Sequence, residues 1–389
     1  MKKHLIAAAV AAAVAVPAMA QNVTLGGVLD LSPHSDRKTT VGANSVKTSG
    51  TGNDSNSGQA ASNRINITMS EDLGGGLRVD GLYRLRYSAL GSSGTADDMS
   101  IRVSGGFGAV RMGRFTGFVD NLGAMTGAFS SANSAGGISA NASDLVSGTL
   151  QSNAPVITAD TGAIAKAAGG AGAFDDTQGL VQYVSPTVNG FNVTLDYINR
   201  SQDESRTDGK AEVKQTGIGL SYTAGPLQVQ AANAKRQVTG AVISPLIAGA
   251  AAGAGDDAAT SVKGTINWVG GNYDLGAVKV FVAHANRKDK DANGATSDDI
   301  SVNFVGLQLP MGAVTIFASM YDGEDKNTGV AGAAATESRD LTGNQLAISY
   351  ALSKRTSIYG VTGRTEDKGA TVNTNYKRSE TAVGIRHNF

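Results

Sequence analysis

The sequence predicts an all-β fold: a 16-stranded antiparallel transmembrane β-barrel with short periplasmic turns and long extracellular loops, the third of them folded into the lumen. Three observations predict it. Apolar residues recur at every second position in sixteen segments, the pattern of strands with one apolar and one polar face. The connections between those segments alternate between short and long, as in an outer-membrane barrel. Residues 116–177 are rich in Ala, Gly and Ser and carry no sustained period. A compact domain rarely leaves more than about 15 residues without structure unless they are functional or disordered.

The chain opens with Met1-Lys2-Lys3, an apolar run over residues 5–16, and Pro17-Ala18-Met19-Ala20. A charged start, an apolar centre and an Ala-x-Ala end are the parts of a secretory signal peptide. The reading is therefore a leader over 1–20 and one barrel domain over 21–389. No other apolar run approaches the length a membrane helix needs.

The strands follow in order. In 22–31, Val23, Leu25 and Leu29 fall on one face. In 62–70, Ile65, Ile67 and Met69 alternate with Arg64, Asn66 and Thr68. In 77–87, Leu77, Val79, Tyr83, Leu85 and Tyr87 alternate with Arg78, Asp80, Arg84 and Arg86. Met99, Ile101 and Val103 alternate with Ser100, Arg102 and Ser104. The pattern continues through 191–197, 217–222, 227–236, 278–282, 314–320, 345–350 and 381–389. It is less regular at 110–115, 179–184, 262–273, 300–309 and 356–363.

Of seven short connections, all but Ser353-Lys354 carry Gly, Pro or Asp, as tight turns do. Eight long ones fall near 32–61, 90–98, 116–177, 201–212, 237–260, 285–299, 322–342 and 366–377. Eight long and seven short connections put both ends of the domain on the short-turn side. A soluble sandwich would also alternate, but it has about seven to nine strands, and no boundary divides this chain into two such units. In lipid, only a closed barrel leaves no sheet edge unpaired.

Composition narrows the chemistry. There is no cysteine, so neither disulfides nor thiol catalysis. Without Lys2 and Lys3 the chain has 31 basic and 33 acidic residues, which gives no reason to expect a nucleic-acid partner. The histidines of the barrel domain, His34, His284 and His387, are scattered. No Gly-x-Ser-x-Gly or His-Glu-x-x-His pattern accompanies them. The expectation is a protein that is not an enzyme and needs no cofactor or metal.

Several stretches carry a family likeness: VTLGGVLD from Val23, SEDLGGGL from Ser70, SGGFGAVRMGR from Ser104, VQYVSP from Val181, YALSKRTSIYG from Tyr350 and GIRHNF from Gly384. With these the chain resembles the trimeric general porins of Gram-negative outer membranes, in particular the beta-proteobacterial, Neisseria/Burkholderia-like branch. The resemblance implies a homotrimer in the cell outer membrane, in contact with lipid and lipopolysaccharide. Phe389, Ile385 and His387 share one parity on the last strand. They resemble the signal read by the barrel-assembly machinery.

Arg64, Arg78, Arg84, Arg86, Arg102 and Arg111 share the lumenal parity, and Arg114 follows at the start of the long loop. Asp80 opposes them. An Arg on the lipid face near the midplane would cost about 2–4 kcal/mol, which forces this sidedness. The loop 116–177 brings Asp120, Asp144, Asp160, Asp175 and Asp176 against Lys166. An acidic loop facing a basic wall would set a field across a narrow aperture and select ions by sign. The expected constriction residues are thus Arg64, Arg78, Arg84, Arg86, Arg102, Arg111, Arg114, Asp80 and Asp120.

The expected activity is passive diffusion of small hydrophilic solutes and ions through a water-filled channel, with anion preference. A substrate-specific channel and a barrel-anchored adhesin are the alternatives. The pairs Asp97-Asp98, Asp256-Asp257 and Asp298-Asp299 are expected in outer loops, as solvated tips or as cation bridges to lipopolysaccharide. The processed protein is expected to begin at Gln21, which N-terminal sequencing of the exported form checks.

Overall fold

The structure is a computed structural model, and it describes residues 22–40, 46–51, 63–87, 94–129, 179–202, 211–239, 261–290, 296–326, 338–369 and 376–389. The leader, loop residues 130–178 and Asp256-Asp257 lie outside these residues. Eighteen strands form one sheet. They begin with β1 (Asn22–Leu31), β2 (Pro33–Thr40), β3 (Val46–Thr51), β4 (Arg64–Gly74), β5 (Leu77–Tyr87), β6 (Gly94–Gly105) and β7 (Gly108–Arg114). Next come β8 (Leu180–Val184), β9 (Phe191–Gln202), β10 (Ala211–Ala224), β11 (Leu227–Thr239), β12 (Ser261–Asp274) and β13 (Lys279–Lys290). The last are β14 (Thr296–Met311), β15 (Val314–Asp325), β16 (Arg339–Ala351), β17 (Thr356–Gly369) and β18 (Tyr376–Asn388).

These strands make sixteen staves. Leu31 pairs with Ile385 and His34 with Ala382, an unbroken register, so β1 and β2 are one stave interrupted at Ser32. β3 folds back on β2 as a short hairpin. From β4 onward each strand pairs antiparallel with the next, and β1 pairs with both β4 and β18. The sheet is therefore closed, as the alternation predicted.

The staves are longer than the alternating segments. β13 runs to Lys290 and β14 begins at Thr296, where the pattern had stopped at 282 and begun at 300. Above Val282 the outward positions of β13 are His284, Asn286 and Lys288. Backbone pairing continues there without an apolar face to announce it. Likewise the first long connection holds β2 and β3, and β6 starts within residues expected to be loop.

The outer face inverts the rule for a water-soluble protein. Leu25, Ile101, Leu220, Val282, Met320 and Ile348 are exposed, while their neighbours along each strand turn inward. Among the described residues no helix is long and apolar enough to cross a membrane. At the short-turn end Phe107, Phe191, Tyr273 and Tyr350 are exposed, and the Phe191 and Tyr222 rings lie 4.2 Å apart. The Tyr183 hydroxyl donates to the Phe107 carbonyl at 2.9 Å. Such rings bury their bodies and wet their polar tips at a membrane boundary. Two of the short turns, at Asp72 and Asp274, are closed by Asx hydrogen bonds. Asp274 Oδ1 accepts from the Gly276 N–H at 2.8 Å, and Gly276 takes the left-handed φ of 85° that completes the turn.

At the seam, Phe389 and Gly27 exchange backbone hydrogen bonds of 3.0 and 3.1 Å. The Phe389 ring occupies the space a Cβ on Gly27 would need. Ile385 pairs with Leu31, and His387 Nδ1 lies 2.9 Å from Thr356 Oγ1. Gly27→Val is expected to unseat the ring, at an overpacking cost of about 1–3 kcal/mol. The folded barrel should then lose its compact gel mobility at a lower temperature than the parent; equal midpoints would refute the packing account.

Candidate functional site: a narrowed lumen with one basic wall

The inner surface has two unlike halves. From β9 to β17 many inward positions are small: Gly219, Ala232, Ala234, Gly270, Ala283, Ala285, Gly306 and Ala347. They leave a trough along the wall, and the start of the third loop lies in it. Phe115 is buried at the end of β7, and a short 3-10 helix, Phe118–Met125, follows. Phe118, Leu122 and Met125 face the wall and are buried, whereas Asn121 and Ala124 are exposed.

Polar contacts fix this docking. The Phe118 ring stacks on Trp268 at 5.9 Å and 8°. Trp268 Nε1–H donates to the Val119 carbonyl at 2.6 Å. The Phe118 N–H donates to Asp196 Oδ2 at 2.7 Å, and Gln182 Nε2 donates to Asp196 Oδ1 at 2.8 Å. A buried carboxylate is tolerated when donors satisfy it in this way. The ring of Phe118 and the side chain of Met125 fill the space that side chains on Gly219 and Gly270 would take. Gly127 then passes closely against Phe281 and Gly306.

The other half, β4 to β8, is basic. Thr24, Thr68, Ser70, Arg78, Asp80, Ser100, Arg102, Arg111 and Gln182 line an open recess of about 740 Å³. Arg111 donates to Asp98 at 3.0 Å and from Nε to Ser100 Oγ at 3.0 Å. Its guanidinium carbon sits 3.9 Å from the centre of the Phe115 ring, a cation–π contact. Arg84 lies 3.7 Å from Asp98 and donates to Asn66 Oδ1 at 3.2 Å. Arg78 pairs with Asp80 at 2.7 Å. Arg102 stands between Asp80 and Arg111 in the register. It is exposed to the recess and makes no hydrogen bond or ion pair among the described residues.

Several expected site residues therefore lie together: Arg78, Asp80, Arg102 and Arg111 in the recess, with Arg84 bonded beside it. Arg64 and Arg86 face each other at the outer end of β4 and β5, half-buried. Arg114 pairs with Met99, an exposed outward residue, and so lies off the lumenal row. Strand parity, which holds through Gly113 opposite Ser100, accounts for this. Asp120 lies within the 3-10 helix. Asp144, Asp160, Lys166, Asp175 and Asp176 fall outside the described residues.

Asp98 is a correction. It is expected in an outer loop, as a solvated tip or a cation bridge, yet it is buried in the wall, paired with Arg84 and Arg111. Its parity matches Ser100 and Arg102, so extending the alternation of β6 by one pair would have found it. The trough was missed as well, although inward Ala and Gly at alternate positions in β10, β11 and β13 are its signature.

A closed barrel with an apolar exterior, an inward loop and a charged lumenal wall defines an outer-membrane barrel with a constricted lumen. The chain belongs to the Gram-negative porin family, whose profile matches residues 7–370. Outer membrane porin protein 32 of Delftia acidovorans is 28% identical over 245 residues, a match spanning 58% of each chain. Among solved structures, an anion-selective porin from Comamonas acidovorans superposes with a TM-score of 0.64 at 20% identity, covering 95% of this chain and 100% of that one. The trimer form of OmpT from Vibrio cholerae gives 0.60 at 15% identity, with 95% and 100% coverage. At these identities the superpositions report shared fold.

Trp268 is the chain's single tryptophan and touches the docked loop. Gly219→Val would displace Phe118 from its seat and should red-shift the fluorescence of Trp268. Emission unchanged from the parent would sink the docking account.

Proposed function

We propose that the protein is an outer-membrane diffusion channel for small hydrophilic solutes and ions, with a preference for anions. The observation that carries this reading is the recess wall formed by Arg78, Arg102 and Arg111, with Arg102 exposed and lacking a carboxylate partner among the described residues. Guanidinium groups stay ionised and offer several donors to carboxylate and phosphate oxygens. Two of the inward arginines, Arg84 and Arg111, spend charge on Asp98, and Arg78 is tied to Asp80. Arg102 is then the cation most open to a passing anion. With the loop held against the far wall, permeating ions pass close to this face, and a charged wall at short range selects by sign.

The Comamonas structure is named as an anion-selective porin, which supports the same sign here. The trimer form of OmpT supports a homotrimer as the working unit. The remaining partners on this reading are outer-membrane lipid and lipopolysaccharide, with export through the leader over 1–20 and insertion by the barrel-assembly machinery.

The test is a reversal potential in planar bilayers under a KCl gradient. The parent should reverse toward the chloride potential. Arg102→Glu should move the reversal toward the potassium potential more than Arg78→Glu, since Arg78 already shares its charge with Asp80. A parent channel with clear cation preference would overturn the anion reading.

A further inference from the structure

The far end of the described loop segment is held by an arrangement that the channel reading does not use. Phe129 lies against β16 and β17, and the side-chain amide of Gln345 grips its backbone at both polar atoms. Gln345 Oε1 accepts from the Phe129 N–H at 2.9 Å, and Gln345 Nε2 donates to the Phe129 carbonyl at 3.3 Å. An amide side chain thus stands in for the neighbouring strand that this stretch of loop lacks. Both partners are buried, where a backbone group left without a partner costs more than a typical hydrogen bond contributes.

The ring of Phe129 sits in an aromatic socket. Phe317 and Tyr359 lie 5.1 Å from it, tilted by 55° and 52°, and Ala347, Val361 and Ala382 complete the packing. Tilted pairs at this spacing are favourable beyond the area they bury. Tyr359 continues the chain of contacts. It starts on β17, and its ring passes over Gly384 of β18, where a Cβ would collide with it. Its hydroxyl then donates at 2.6 Å to Oδ1 of Asp30 on β1, which is fully buried. The Asp30 N–H donates to Asn63 Oδ1 at 2.6 Å. The loop is thereby joined through Phe129, Tyr359 and Asp30 to the strand that closes the barrel.

We propose that this clamp sets the aperture. Gln345 and Tyr359 are positioning residues that fix the inner reach of the loop, and Asp30 makes that position depend on the closed seam. The inference rests on the channel reading above. A channel whose loop is pinned at Phe129 has one open geometry; a channel released there has several.

Single-channel recording tests it. Gln345→Ala should lose the parent's uniform conductance step per protomer, show two or more step sizes, and close at a lower voltage. Gln345→Glu retains the acceptor for the Phe129 N–H and loses the donor, and should fall between. Tyr359→Phe keeps the socket and removes only the bond to Asp30. It should lower the closing voltage while preserving the step size, and it serves as the test if Gln345→Ala does not assemble. Thermal resistance of the folded form is measured alongside. Variants that fold like the parent and show its uniform step size and closing voltage would overturn the clamp while leaving the channel reading intact. A parent that conducts nothing would overturn both.

Discussion

A bilayer interior offers no water to a peptide group, and this constraint shapes the whole chain. Every N–H and C=O within the hydrocarbon must find a partner in the protein. The chain meets the demand by pairing each stave with its neighbours and returning β18 to β1. A related requirement holds where the loop is buried against the wall. Its backbone there has left the ladder and is out of reach of water, so side chains must meet its polar groups. Asp196 meets the Phe118 N–H and Trp268 the Val119 carbonyl, and Gln345 serves both groups of Phe129.

The two halves of the lumen follow from a division of labour. The trough half holds the loop by shape and hydrogen bonding: small inward residues such as Gly219, Gly270 and Gly306 make room for it, and Asp196 and Gln345 bond its backbone. The basic half faces the space that remains. Its ion pairs are partly exposed, and pairs of that kind contribute little to stability. Their consequence is positional. Asp98 and Phe115 restrain Arg111, and Asp80 restrains Arg78, so the guanidinium groups line the wall without collapsing across it.

The wall was readable from the residues because charge follows the strand period there. Period-two side-chain placement located all sixteen staves, and on β1 and β5 it reproduced both ends. It also put Arg78, Asp80, Arg102 and Arg111 on one face from the residues alone. Legibility fails where the strand leaves lipid. His284, Asn286 and Lys288 are outward and polar, so the pattern stops although the ladder continues. Asp98 was misplaced for that reason. Arg114 failed for the opposite one: the ladder of β7 runs through it, so it has the outward parity of Met112. The trough was illegible for a subtler cause: Gly and Ala on an inward face read as weak strand, and their meaning emerges only once Phe118, Met125 and Gly127 are seen against them.

That trough bears on how such barrels can be re-engineered. The loop and its seat are two halves of one mould: Phe118 over Gly219, Met125 over Gly270, Gly127 against Gly306. A pore loop transplanted from a relative with bulkier anchors would meet a wall cut to a different profile. Grafts that carry the recipient's own residues through Phe129, and vary only the loop beyond it, preserve the fit. So would grafts that exchange the matching inward positions of β10, β12 and β14 together with the loop.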